Sequence, residues 1–257
     1  MWNELFAYLD VFMLVFVRMS GMILFNPLFA RRNVPTQVRM GLILALTIVI
    51  TPTVDGAPIA GMLELEFIFA MFKELFLGFV CGFVFQIFYY LLFFAGDIMD
   101  MEFGLSMSKV FDPSSNIQMS TSGNLLNLLF MFYIFATNSH LIMIKIFATS
   151  YQVVPVGAVG LSTAIGEHIV NLFISVFVLA LKLALPFIAV EFILEIAMGI
   201  LMKIIPQIHI FVINIQMKVL VGIILLFAFA HPVGSFMDNY VVVMLENMQR
   251  ALFAAMA

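Results

Sequence analysis

GDIMDMEFGLSMSKVFDPSSNIQMSTSGN, residues 96–124, separates two long runs of Phe, Leu, Ile, Val and Met. It carries Asp97, Asp100, Glu102, Lys109 and Asp112, then Pro113 and a tract of Ser, Asn, Gln, Thr and Gly. Hydrocarbon cannot hydrogen-bond irregular backbone, so such a segment at membrane depth must be buried in protein or line an aqueous cavity. Outside the bilayer it is a long ordered or gating loop. On either reading 96–124 is a polar loop between membrane-type helices and the first place to look for function.

The flanking runs set the class. Of 257 residues, 64% are hydrophobic and 10% charged, whereas soluble domains average about 45–50% apolar and about 25% charged. The chain therefore belongs in a membrane, or in an obligate membrane assembly. A net charge of −4 offers no basic stripe for phosphates, which excludes a nucleic-acid partner. The lone Cys81 provides neither a disulfide framework nor a cysteine metal site. The first basic residue, Arg18, follows Glu4 and Asp10, a pattern unlike a cleavable signal peptide. No GxxxxGK[ST], GxSxG, HExxH or GxGxxG pattern occurs, so an enzyme is not expected, nor a cofactor or metal site.

Apolar segments fall near 5–30, 38–54, 67–95, 125–148, 169–202, 210–230 and 240–254. Spanning helices need about 20 residues, and 75–96 meets that length without a charge. Asn26-Pro27, the 31–35 run, 51–58, 153–162 and Pro206 separate the segments, since a residue before proline is pushed out of the helical region. The expected fold is all-α: one polytopic membrane-type domain over 1–257, with about six long helices, several broken or kinked.

Charges inside apolar helices face partners or aqueous cavities. Glu191 and Glu195, at i and i+4, share a helix face. Two readings are open: a proton or cation site, or two carboxylates paired with groups of a neighbouring helix or subunit. Arg18, Lys73, Glu74 and Lys203 join them as candidate buried inter-helix or inter-subunit charges. Glu74, Gly78 and Gly82 recur every four residues, as do Gly96, Asp100 and Gly104. Small residues so spaced let a second backbone approach, which makes Gly78, Gly82, Gly96 and Gly104 candidates for close helix packing. His140, His168, His209 and His231 lie too far apart for a local ligand motif.

The blocks 16–42, 73–83, 95–116, 135–157 and 183–222, taken in order, resemble the FliR/SctT family of bacterial flagellar and type III secretion export proteins. Arg18, Pro27, Pro35, Glu74, Gly78, Gly104, Asp112-Pro113, His140, Pro155, Pro186 and Pro206-Gln207 carry the likeness, which covers nearly the whole chain. The resemblance implies a subunit of a helical export gate in the bacterial inner (cytoplasmic) membrane, at the flagellar basal body. It implies FliP-like and FliQ-like partner subunits, FlhB-like and FlhA-like components, contact with membrane lipids, and unfolded exported proteins in transit. It also implies a pore plug within 104–122, centred on Met107, Val110, Phe111 and Pro113. Bulky apolar side chains such as Met107 and Phe111 can seal a pore by dewetting. The competing class is a secondary transporter with a Glu191/Glu195 coupling site, in which broken helices would surround midplane carboxylates.

Overall fold

The computed structural model describes residues 2–30, 34–56, 59, 62–106, 120–157, 162–205 and 210–256, with backbone alone for 2–7 and 210–212. Among them are eight α-helices: α1 Trp2–Leu24, α2 Thr36–Ile50, α3 Glu64–Glu102, α4 Thr121–Ala136, α5 Ser139–Val153, α6 Ala164–Ile204, α7 Ile210–Ala228 and α8 Ala230–Ala254. A 3₁₀ turn, Thr51–Thr53, follows α2. The all-α, membrane-type fold is as the sequence indicates. Three stretches, Thr36–Thr53, α3 and α6, are long and apolar enough to cross a bilayer, and up to five spans result if each bent helix pair counts as one.

Helix number and boundaries differ from the sequence reading in ways that have local causes. The single segment expected at 125–148 is two helices, α4 and α5, bent by 72°. Asn138 sits between them at φ 57°, a left-handed conformation that asparagine tolerates better than most residues. The last two apolar segments also change. Helix α8 begins at Ala230 rather than near 240 and meets α7 at 61°. Pro232 explains the join: without an N–H it cannot bond the Ala228 carbonyl, yet proline is tolerated in a first helical turn. Pro186, in contrast, lies inside a helix that continues through it.

The 96–124 loop is shorter than its composition suggests. Helix α3 runs through Gly96, Asp97, Asp100 and Glu102, and α4 takes residues from Thr121 onward. Acidic residues in a helix end need no irregular backbone when their carboxylates have donors, and Asp100 has several, described below. At 1.5 Å per residue, the 39-residue α3 and the 41-residue α6 are about 58 and 61 Å long. Each exceeds the roughly 30 Å hydrocarbon thickness of a bilayer.

The chain divides into two compact units: 1–88 with 134–173 and 242–257, and 89–133 with 174–241. Within the first, Leu14, Val15, Met19, Met22, Cys81 and Phe85 are fully buried. Within the second, Phe103, Phe130, Phe187 and Tyr240 form the aromatic core. Phe103 meets Phe187 edge-on at 5.9 Å, and Phe130 meets Tyr240 at 5.7 Å.

Candidate functional site

Three polar nodes interrupt this apolar packing. The first, in the first unit, is built on a helix crossing that only small residues permit. A Cβ on Gly78 would strike the Arg18 carbonyl oxygen and come within 2.9 Å of Gly21 Cα; one on Gly82 would lie 2.9 Å from Phe25 Cβ. Close approach brings α1 and α3 together at Arg18 and Glu74. Both are buried and form an ion pair from Arg18 Nε to Glu74 Oε2. Arg18 Nη1 also donates to the Ser150 and Val154 carbonyls, at 3.2 and 2.9 Å. These belong to the C-terminal end of α5, where orphan carbonyls and the helix dipole favour a cation. The guanidinium carbon lies 4.4 Å from the centre of the Tyr151 ring, within cation–π range. Tyr151 Oη donates to the Val15 carbonyl, and Gly157 N–H donates to Glu74 Oε1 at 3.0 Å. One ion pair thus joins α1, α3, α5 and the turn after it.

The second node, in the second unit, closes the base of the polar segment. Asp100 Oδ2 accepts from Ser120 Oγ at 2.8 Å and from Thr121 N–H. Its Oδ1 accepts from Ser122 N–H at 3.0 Å. Ser120 Oγ in turn accepts from Gly123 N–H at 2.9 Å, so a buried carboxylate and a serine together cap α4. On the other side, Ser106 N–H donates to the Asp100 carbonyl at 3.3 Å. Residue 100 therefore holds both ends of the stretch between 106 and 120. Gly96 touches Gly123 so closely that a Cβ on it would strike the Gly123 backbone.

Gly104 does not belong to that packing. It lies beyond α3, at φ +72°, and a Cβ there would meet nothing nearer than Lys218 Cβ at 4.0 Å. Its role is conformational, a left-handed residue that ends the helix.

The third node contains the paired glutamates, which the structure treats unequally. Glu195 is exposed and lies 3.5 Å from Lys218 Nζ, an ion pair between α6 and α7 within this chain. Glu191 is fully buried, and neither carboxylate oxygen has a hydrogen-bond partner. The two carboxylates thus have different surroundings, and no cluster of three metal-ligating side chains occurs among the described residues. Lys73 is half-buried and engaged; Lys203 is exposed in a strongly apolar part of α6. Met107, Val110, Phe111 and Pro113 lie outside the described residues.

Sequence reasoning missed Gly21, Gly123, Ser120 and Tyr151. Gly21 and Gly123 had a usable signal, since each is the small partner that a glycine run on the facing helix requires.

Residues 9–243 match the family model described as bacterial export proteins, family 1. The chain belongs to this family. Flagellar biosynthetic protein FliR of Bacillus subtilis is 25% identical over 253 residues, covering 97% of each chain. FliR of Escherichia coli is 26% identical over 235 residues, covering 91% of this chain and 89% of its own. FliR of Caulobacter vibrioides is 27% identical over 216 residues, covering 83% and 85%. The FliR likeness read from the sequence blocks therefore stands. Family, relatives and apolar helices together indicate a membrane-embedded component of the flagellar export apparatus.

Proposed function

We propose that this export-family chain is a non-enzymatic structural and gating subunit of the flagellar type III export gate, in the bacterial inner membrane at the basal body. In that gate it joins FliP-like and FliQ-like subunits, adjoins FlhB-like and FlhA-like components, and helps form the channel for unfolded rod, hook and filament proteins. The observation that carries the reading is the length and surface of α3 and α6. Both outreach a bilayer, and on α6 Phe192, Ile193, Ile196 and Ile200 are each more than half exposed. Helices that leave the hydrocarbon while still presenting such side chains need protein partners to cover them. The polar nodes support the same role, because each ties helices together and none aligns a nucleophile with a base.

The experiment is co-expression. The chain alone is expected to aggregate in mild detergent, and FliP-like and FliQ-like subunits to recover it in a stoichiometric complex. A stable isolated chain that transports a small solute would overturn the proposal in favour of a transporter.

Closure of the channel is assigned to Met107, Val110, Phe111 and Pro113. The anchoring of residues 106 and 120–122 on Asp100 supports this, since a plug needs fixed ends. Replacing Met107 and Phe111 by glycine should make the assembled gate leak ions, because less apolar bulk lowers the cost of wetting. The corresponding change in Ser114 and Ser115 should leave conductance at background. Background conductance in the Met107/Phe111 variant, with assembly verified, would place the seal elsewhere.

A further inference from the structure

Glu191 has no structural task among the described residues. Its neighbour Glu195 is paired and Asp100 is saturated with donors, but Glu191 is fully buried on α6 with both oxygens unpartnered. An ionised carboxylate in that position would carry an uncompensated charge, which proteins avoid by neutralising the group. Among the described residues, the charged groups within electrostatic reach come from three helices: Glu102 at the end of α3, Glu195 on α6 and Lys218 on α7. Two of these are acids, so the only one able to compensate an anion is Lys218. Lys218 is engaged elsewhere, 3.5 Å from Glu195, with its side chain only 14% exposed.

We propose that Glu191 is a proton-binding site whose loading state is set by Lys218. With Lys218 on Glu195, Glu191 holds a proton and is a neutral acid. When Glu191 releases that proton, the ammonium group moves to the new carboxylate. Glu195, with 57% of its side chain exposed, is then left to water, which solvates it at little cost. The exchange needs no other reactant: one proton leaves, one ion pair breaks and one forms. Both partners of the exchange lie on α6 and α7, so proton release changes how these two helices are tied. The inference does not depend on the chain lining an export channel.

Infrared difference spectroscopy on the lipid-reconstituted complex containing this chain tests it directly. The spectrum of wild type minus Glu191→Gln at neutral pH should contain one carboxylic-acid carbonyl band that shifts on deuterium exchange. Glu195→Gln, which frees Lys218 to pair with Glu191, should make that acid band disappear at lower pH than in wild type. Carboxylate bands in the Glu191 difference spectrum, with or without sensitivity to sodium, would show an ionised group and overturn the proposal. Lys218→Met provides an independent reading should Glu191→Gln fail to assemble. Without its cation, Glu191 should keep the acid band to higher pH than wild type. Superimposable pH profiles of wild type and Lys218→Met would exclude the exchange.

Discussion

Arg18 is the residue on which the first unit depends most. Its guanidinium compensates Glu74, two carbonyls at the end of α5 and the face of Tyr151. Removing one partner of a buried pair leaves the other uncompensated, a loss of about 3–5 kcal/mol. Arg18→Met should therefore destabilise the assembled protein by about that amount, measured as loss of thermal stability in detergent. Glu74→Gln should cost less, because Arg18 keeps the two α5 carbonyls and the Tyr151 face and the amide oxygen can still accept from Gly157 N–H; equal losses would mean that the ion pair alone, and not these further contacts of Arg18, organises the node. Asp100 makes a second prediction at this scale. Asp100→Ala removes three acceptor contacts at the start of α4, and capping losses run at about 0.5–2 kcal/mol. Amide exchange at Thr121 and Ser122 should accelerate while amides in the middle of α4 keep their protection. Unchanged exchange at these two amides would count against the cap.

At the scale of elements, the helix crossings rest on glycines that have no room for a methyl group. Gly78→Ala would drive a carbon into the Arg18 carbonyl, and Gly96→Ala one into the Gly123 backbone. Backbone cannot rotate away as a side chain can, so both substitutions should reduce the yield of assembled protein several-fold. Gly41 and Gly199 are the controls. Each lies within a helix, and an added Cβ meets nothing within 4 Å in this chain, so alanine there should be neutral or stabilising by up to about 1 kcal/mol. Detergent-extracted yield, compared across the four variants, separates the two classes. The same scale holds two misreadings of the sequence. The α4–α5 bend depends on one left-handed asparagine inside an apolar run, and apolar periodicity contains no term for backbone handedness. The apolar segment read as 67–95 continues as α3 to Glu102, and the donors that satisfy Asp100 come from residues 20 to 22 positions away.

The whole molecule presents more apolar surface than a self-sufficient protein can leave uncovered. Phe192, Ile193, Ile196, Ile200, Met202 and Ile204 stand out along the C-terminal half of α6. Whether lipid or protein covers it, a charge there is costly, at about 2.5–3.5 kcal/mol for Asp at a helix centre on insertion scales. Ile200→Asp should sharply lower the membrane-fraction yield of the complex, whereas Ile200→Leu should not. Retention of Ile200→Asp at wild-type levels would mean that this face meets water, which is incompatible with a buried position in a membrane assembly.

Composition alone determined that the chain is helical and membrane-associated, because hydrocarbon admits few other ways of satisfying the backbone. The ordered blocks around Arg18, Glu74, Asp112-Pro113 and Pro206 carried the family, and the four-residue glycine spacing marked the crossing faces. Tertiary structure alone decided which charge meets which. Arg18 and Glu74 are 56 positions apart, as Asp100 and Ser120 are 20 apart, and no local pattern links such pairs. It also separated Glu191 from Glu195. The i, i+4 rule puts both on one face of α6, but the environment of that face changes within a turn, from enclosed to exposed. Burial is a property of what packs against a helix, and the sequence of one helix does not contain it.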